Sequence, residues 1–295
     1  MKVLCCGHSS YDITLLLDEF PKENKKIRLD KEVIECGGGS ASNASVLLSL
    51  WGLDTYIASC VGNDYYGSKI KDEYKKANVN TKYLETNDCK TTVSYILTNT
   101  SSGTRTILTS KDKNLNMNLE VSDKFDYILV DGDNFEVAYN VLLNNKDSIS
   151  ILDAGKVTDN ILKLGEVVTY IVCSNDFARD YTKIDFSYDD MEKIKKVYDM
   201  IQKDFSSTLI ITLERYGSFI KISGEYYLVP SIDVHAVDST GAGDIYHAAL
   251  LYFISQGYSI LEAMKYANIT GALSVEKIGG RNSIPELSEV ISRNA

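Results

Sequence analysis

Six short apolar runs rich in β-branched residues, Val3–Cys6, Thr55–Cys60, Tyr127–Val130, Ser148–Leu152, Tyr170–Cys173 and Thr208–Leu213, alternate with longer stretches of helical period. No other feature limits the possible folds as strongly. A buried strand followed by an amphipathic helix is a βαβ unit, and repeated units build a mainly parallel sheet with helices on both faces. The period predicts helices over Asn43–Trp51, Tyr66–Ala77, Phe135–Leu143, Tyr188–Lys203, Ala242–Gln256 and Ile260–Glu276, with turns at Gly52, Asn78, Gly165 and Gly257. No linker, low-complexity tract or repeat interrupts the order, so one doubly wound α/β domain over residues 1–295 is expected.

Two stretches break the alternation. Tyr11–Leu17 with Lys26–Glu35, and Thr91–Leu97 with Arg105–Thr109, read as period-two strands, the second pair joined by a turn at "NTSSG". Strands inserted between a sheet strand and its helix project from the sheet edge. They predict a discontinuous β lid over roughly residues 11–35 and 90–110, and exposed lid edges predict pairing of two copies as a homodimer.

The net charge of -10 and pI near 4.9 argue against nucleic-acid or anionic-membrane partners, because the long-range field repels polyanions. No window approaches the length of a membrane span, and the run before His8 is too short for a secretory signal. Cys5, Cys6, Cys36, Cys60, Cys89 and Cys173 form no C-x-x-C pair; they read as reduced thiols of a cytoplasmic protein.

Chemistry is concentrated in "DSTGAGD", residues 238–244, immediately before an apolar helical run. Gly241, Ala242 and Gly243 leave their backbone N–H groups free to converge on a phosphate at the positive end of a helix. Asp244 sits in the first turn. A carboxylate would repel an anion there, but as a base it can take the proton of a hydroxyl that attacks the phosphorus. The other reading is a tight turn with a capping aspartate. The motif is no Walker A, lacking its lysine, and no Rossmann fingerprint, since no second βαβ half follows it.

"VDSTGAGD" with its helix resembles the C-terminal signature of the ribokinase-like (PfkB) carbohydrate kinases, and "GGGSASNASVLLSLWG" at 37–52 is similar to their N-terminal glycine signature. "GHSSYD", "CVGNDYYG", "GTRT", "SND", "TLERYG" and "GGRNSIP" follow the family in order, so the resemblance covers nearly the whole chain. It implies a ribokinase-like three-layer fold with a small β-sheet lid and ATP-dependent phosphorylation of a small sugar, with Mg2+ accompanying the nucleotide. By resemblance Asp244 is the base and the Gly241, Ala242 and Gly243 amides form the anion hole. Asp12, Gly38, Gly39 and Asn43 match acceptor-binding positions, with Asp133 as a further contact. Asn175, Thr212, Gly217 and Asn268 match the nucleotide side. Asp238, Thr240, Ser274, Gly279 and Ser283 match a monovalent-cation site that would suit K+.

The chain departs from the family pattern at two places. Ala178 stands where the N-x-x-E glutamate is expected, leaving Asp176 or Asp180 as substitutes, and Glu214 replaces a usual glycine. Ser40, Ala41 and Ser42 replace the Lys-Gly-Ala of ribokinase proper, so ribose is not implied. A nucleoside kinase and a catalytically weak sugar or nucleotide sensor are the competing readings. His247, three residues after Asp244, is expected to pack beneath the site, and Trp51 in the core.

Overall fold

The structure is a computed structural model that describes residues 1–293; the final two positions of the expected 1–295 domain lie outside the described residues. The chain runs β1 (Lys2–Cys6), β2 (Ser10–Leu17), β3 (Ile34–Gly38), α1 (Ser40–Leu50), β4 (Asp54–Gly62), α2 (Tyr65–Lys76) and β5 (Asn80–Asn87). It continues through β6 (Val93–Asn99), β7 (Thr104–Ser110), β8 (Tyr127–Val130), α3 (Phe135–Asn144), β9 (Ile149–Ala154), α4 (Asp159–Gly165), β10 (Tyr170–Ser174), α5 (Asn175–Thr182) and α6 (Met191–Gln202). β11 (Thr208–Thr212), β12 (Ser218–Ile222), β13 (Glu225–Val229), α7 (Ala242–Ser255), α8 (Ile260–Ser274) and α9 (Leu287–Ser292) complete it.

Nine strands form one sheet in the order β13-β12-β11-β10-β9-β8-β1-β4-β5. Strands β5 to β11 of this order are parallel, and β12 and β13 add an antiparallel edge. Side chains alternate across a strand. In β1, Val3 and Cys5 therefore join one apolar core, with residues of α1, α2, α7, α8 and α9, while Leu4 and Cys6 join the other, beneath α3, α4, α5 and α6. Three layers result. Because β1 pairs with β8 on one side and β4 on the other, successive connections part there, and the strand C-termini flank a crevice of the kind that binds ligands in open α/β sheets.

β3, β2, β6 and β7 form a separate four-stranded sheet. It differs from expectation in its third member: the strand is Ile34–Gly38, not Lys26–Glu35. Residues 26–30 alternate polar and apolar side chains, but residues 26–33 are exposed and have no partner strand among the described residues, so the period alone does not order them. The edge strand β7 is exposed throughout, including Ile107 and Leu108.

β5, α4, α5, the β12–β13 hairpin and α9 were not expected. The hairpin turns at Ser223-Gly224, both with positive φ, the backbone twist that tight hairpins favour. α6 begins at Met191 rather than Tyr188 because the Asp190 side chain caps it, accepting from Lys193 N at 3.1 Å. Among the described residues no helix is long and apolar enough to cross a membrane.

Candidate active site

Gly241 caps α7 with φ +75, a left-handed conformation that suits glycine. A Cβ there would lie 2.8 Å from Gly280 Cα, so the loop before α7 is packed closely against the 279–283 loop. The first N–H groups of a helix have no intrahelical acceptor. Among the described residues the Gly241 and Gly243 amides have no protein acceptor, and Ala242 N–H makes only a long 3.4 Å bond to Ser239 O. The three amides are thus available to an anion.

Asp244, half-buried in the first turn of α7, accepts from Asn43 Nδ2 at 2.8 Å, a contact between residues 201 apart in sequence. Burial, and then the nearby Asp153 carboxylate, push the Asp244 pKa up to about 6, against the stabilising Asn43 hydrogen bond and the His247 charge. His247 is buried with Nδ1 3.2 Å from Asp153 Oδ2. Burial works to lower its pKa, but the Asp153 and Asp244 charges prevail and raise it. His247 therefore packs beneath the site as expected, its imidazole beside the Asp153 carboxylate and within the field of Asp244. Nothing in the local sequence around Asp153 marks it.

The segment expected to bind the acceptor lies beside Asp244. β2 and β3 pair Ser10 with Gly38 and Asp12 with Cys36. A Cβ on Gly38 would fall 2.0 Å from Asp12 Oδ2, and one on Gly39, at φ +95, would fall 2.5 Å from His8 O. These two glycines let the Asp12 carboxyl and the β1–β2 loop approach the start of α1. Asp12 is buried and accepts from Ser10 Oγ at 2.9 Å; burial raises its pKa. Among the described residues Asn43 Oδ1 is buried without a hydrogen-bond partner, an acceptor open to a ligand hydroxyl.

Asp133 is placed otherwise than as a free acceptor contact. Its carboxylate binds His8 Nδ1 at 2.9 Å and Lys111 Nζ at 3.1 Å. Burial would raise its pKa, but these two cations hold it well below the usual carboxylate range. The neighbouring Asp131, unremarked in the sequence, accepts the amides of His8 (2.8 Å), Ala41 (3.0 Å) and Asp133 (3.0 Å), joining β1, α1 and β8. Its pKa is pushed up to about 7 by burial and by Asp133.

Arg281 is a further group that the sequence does not mark. It is buried, with Nη1 2.6 Å from Glu73 Oε2, Nη2 donating to Ser42 Oγ, and its guanidinium 5.4 Å from the Tyr74 ring centre. Glu73 in turn accepts the Gly37 amide with both oxygens, at 2.9 and 3.0 Å. One guanidinium thus ties the loop behind Gly241 to α1, α2 and the end of β3.

The residues expected on the nucleotide side lie along the C-terminal ends of β10, β11 and β13. Asn175 is buried, and its Nδ2 donates to Tyr188 Oη and, at 3.4 Å, to Glu214 Oε1. Thr212 Oγ1 donates to Cys173 O at 3.3 Å. Gly217 has φ +104 where a Cβ would meet Val229 O at 2.0 Å. The Asn268 amide donates to Val229 O at 2.8 Å, so its donor end secures the end of β13.

Of the five cation candidates, Asp238 is buried and gathers Thr240 N (3.0 Å), Thr240 Oγ1 (2.7 Å) and Gly279 N (2.9 Å). Ser274 and Ser283 hydroxyls donate to Gly271 O and Gly280 O. The group is compact, oxygen-rich and directly behind the amide cradle. From the small sheet, Arg105 reaches Ser239 Oγ, next to the same loop.

An amide cradle with a carboxylate beside it, at the C-terminal edge of a doubly wound sheet, is an arrangement that phosphoryl transfer to an alcohol can use. A model of the pfkB family carbohydrate kinases matches residues 1–287. The chain belongs to that family, whose members are ATP-dependent phosphotransferases. It is 24% identical to the ribokinase of Bacillus subtilis over 98% of both chains. Identity to the nucleoside kinase of Methanothermobacter thermautotrophicus is 22%, over 99% of this chain and 94% of that one. The fold is similar to that of a ribokinase described as putative from Agrobacterium tumefaciens, with a TM-score of 0.88 at 23% identity, covering 99% and 96% of the two chains.

Proposed function

We propose that the protein transfers the γ-phosphoryl of ATP to a hydroxyl of a small carbohydrate, with Asp244 as the base. The Asn43–Asp244 hydrogen bond carries this reading. It brings the acceptor segment and the base to one point, and Asn43 keeps an unpartnered oxygen to fix the attacking molecule. The Asp12 carboxyl, reached over Gly38 and Gly39, accepts further hydroxyl protons. Asp244 takes the proton of the attacking hydroxyl while the Gly241, Ala242 and Gly243 amides stabilise the charge on the transferring group. A pKa of about 6 leaves the base ionised at neutral pH yet basic enough to accept a proton.

Mg2+ bound with ATP would neutralise phosphate charge; the exposed Glu214 carboxylate is a hard oxygen donor that fits it, with the Asn175 amide NH2 orienting that carboxylate. The Asp238, Thr240, Ser274, Gly279 and Ser283 group would hold K+ and keep the anion hole rigid. Replacing K+ by tetramethylammonium in the assay should lower turnover. The four-stranded sheet would act as a lid that excludes water and suppresses ATP hydrolysis. Its exposed β7 edge supports a homodimer formed through the lid. Six unpaired cysteines suit a reducing cytoplasm.

The decisive experiment is an ADP-release assay against a panel of sugars and nucleosides. Acceptor-dependent ADP release with a sugar supports the reading. Preference for a nucleoside corrects the substrate class. Nucleotide binding with no turnover on any acceptor replaces the kinase by a sensor.

A further inference from the structure

Three properties set Glu214 apart, although its carboxylate also meets the Tyr188 hydroxyl. It holds φ +51, a left-handed conformation unusual for a residue other than glycine or asparagine. Its carboxylate is exposed, and no cationic side chain among the described residues pairs with it; the adjacent Arg215 turns instead to the Tyr216 hydroxyl at 3.2 Å. One carboxylate oxygen nevertheless lies 3.4 Å from the amide of buried Asn175.

The placement follows from register. β10 and β11 are parallel, with Ser174 opposite Thr212. Asn175 directly follows the first and Glu214 lies two residues beyond the second, so both stand at the C-terminal edge where such sheets bind ligands. The two aspartates on α5 do not share this position. Asp176 and Asp180 line a different groove, with Gly155–Thr158 and Arg179, and Asp176 lies 3.8 Å from Arg179. Ala178 is fully buried and offers no polar atom.

An uncompensated carboxylate beside a polyphosphate is repulsive unless a divalent cation stands between them. We infer that Glu214, held by its strained turn against Asn175, is the residue that makes nucleotide binding depend on the divalent cation. It is a positioning residue rather than a catalytic one. The inference rests on the kinase reading for its ligand.

The test is calorimetric titration of the full chain with ADP, once with excess MgCl2 and once with EDTA, for wild type, Glu214→Gln and Glu214→Gly. The wild type should bind Mg-ADP far more tightly than metal-free ADP. Both variants should shrink that ratio at least about tenfold, by weakening the first and strengthening the second, as expected when one charge at close range is removed. Glu214→Gly should melt no lower than wild type, since glycine suits the backbone at φ +51; a role in stability alone would lower the melting temperature and leave the ratio intact. Ratios within about twofold of wild type in both variants overturn the inference without touching the kinase reading. A wild type that binds neither form of ADP overturns both.

Discussion

Replacing Asp244 by asparagine tests the site through activity and stability at once. The change keeps the shape, and an asparagine oxygen can still accept from Asn43 Nδ2, now at 2.8 Å from the carboxylate. It removes the base, so turnover should fall at least about a hundredfold. The stability effect has the opposite sign. Asp244 titrates near 6 in the folded chain against an ordinary 3.8, and about 1.4 kcal/mol per pH unit makes its ionisation unfavourable to the fold by roughly 2–3 kcal/mol. Between those two values the folded state binds more protons than the unfolded one, so wild-type stability declines as pH rises from about 4 to about 6. Asparagine has no such decline. The variant should match wild type near about pH 4 and exceed it near about pH 8 by roughly 4–6 °C in Tm, at roughly 2 °C per kcal/mol for a chain of this length. Thermal melts at both values, beside an ADP-release assay, measure the two effects. Equal melting temperatures at the higher pH, or activity above a few per cent of wild type, would refute the assignment of a buried, burdened base.

Other expectations follow from the same geometry. Asn43→Ala removes the hydrogen bond that favours ionised Asp244, so the acid limb of the pH–rate profile should move above its wild-type midpoint near 6. The acceptor KM should rise in the same variant. Arg281→Met leaves the Glu73 carboxylate unpaired and should cost about 3–5 kcal/mol in urea denaturation, whereas Arg281→Met with Glu73→Gln should cost less than the sum of the single changes. Leu108→Glu places a charge on the exposed edge strand β7; if the small sheets pair two copies, light scattering should show a fall from dimer to monomer with the fold intact. A monomeric wild type would remove the dimer.

Legibility in the sequence tracked how local each signal was. The strands of the parallel core were readable because each is buried on both faces and so appears as an unbroken apolar run, as in Tyr127–Val130. Edge strands carry weaker patterns: β5 is largely exposed at Asn80, Thr81 and Lys82, and β13 at Tyr227 and Leu228, and both were missed. Residues 26–30 show the converse, a strand-like period without a partner strand among the described residues.

The candidate site divides in the same way. Gly241 to Asp244 form one continuous turn, and a glycine-rich turn opening an apolar helix states its chemistry within a few residues. The sequence by itself therefore determined the fold class, the family resemblance and the position of the candidate base. Only the tertiary structure decided what surrounds that base. Asp153 lies on β9, far along the chain from α7, Arg281 meets Glu73 across 208 positions, and Glu214 meets Asn175 across 39. Charge interaction falls off with distance in space, not along the chain. The groups that set a pKa or hold a loop are therefore chosen by how sheets and helices pack, which no local pattern of residues records.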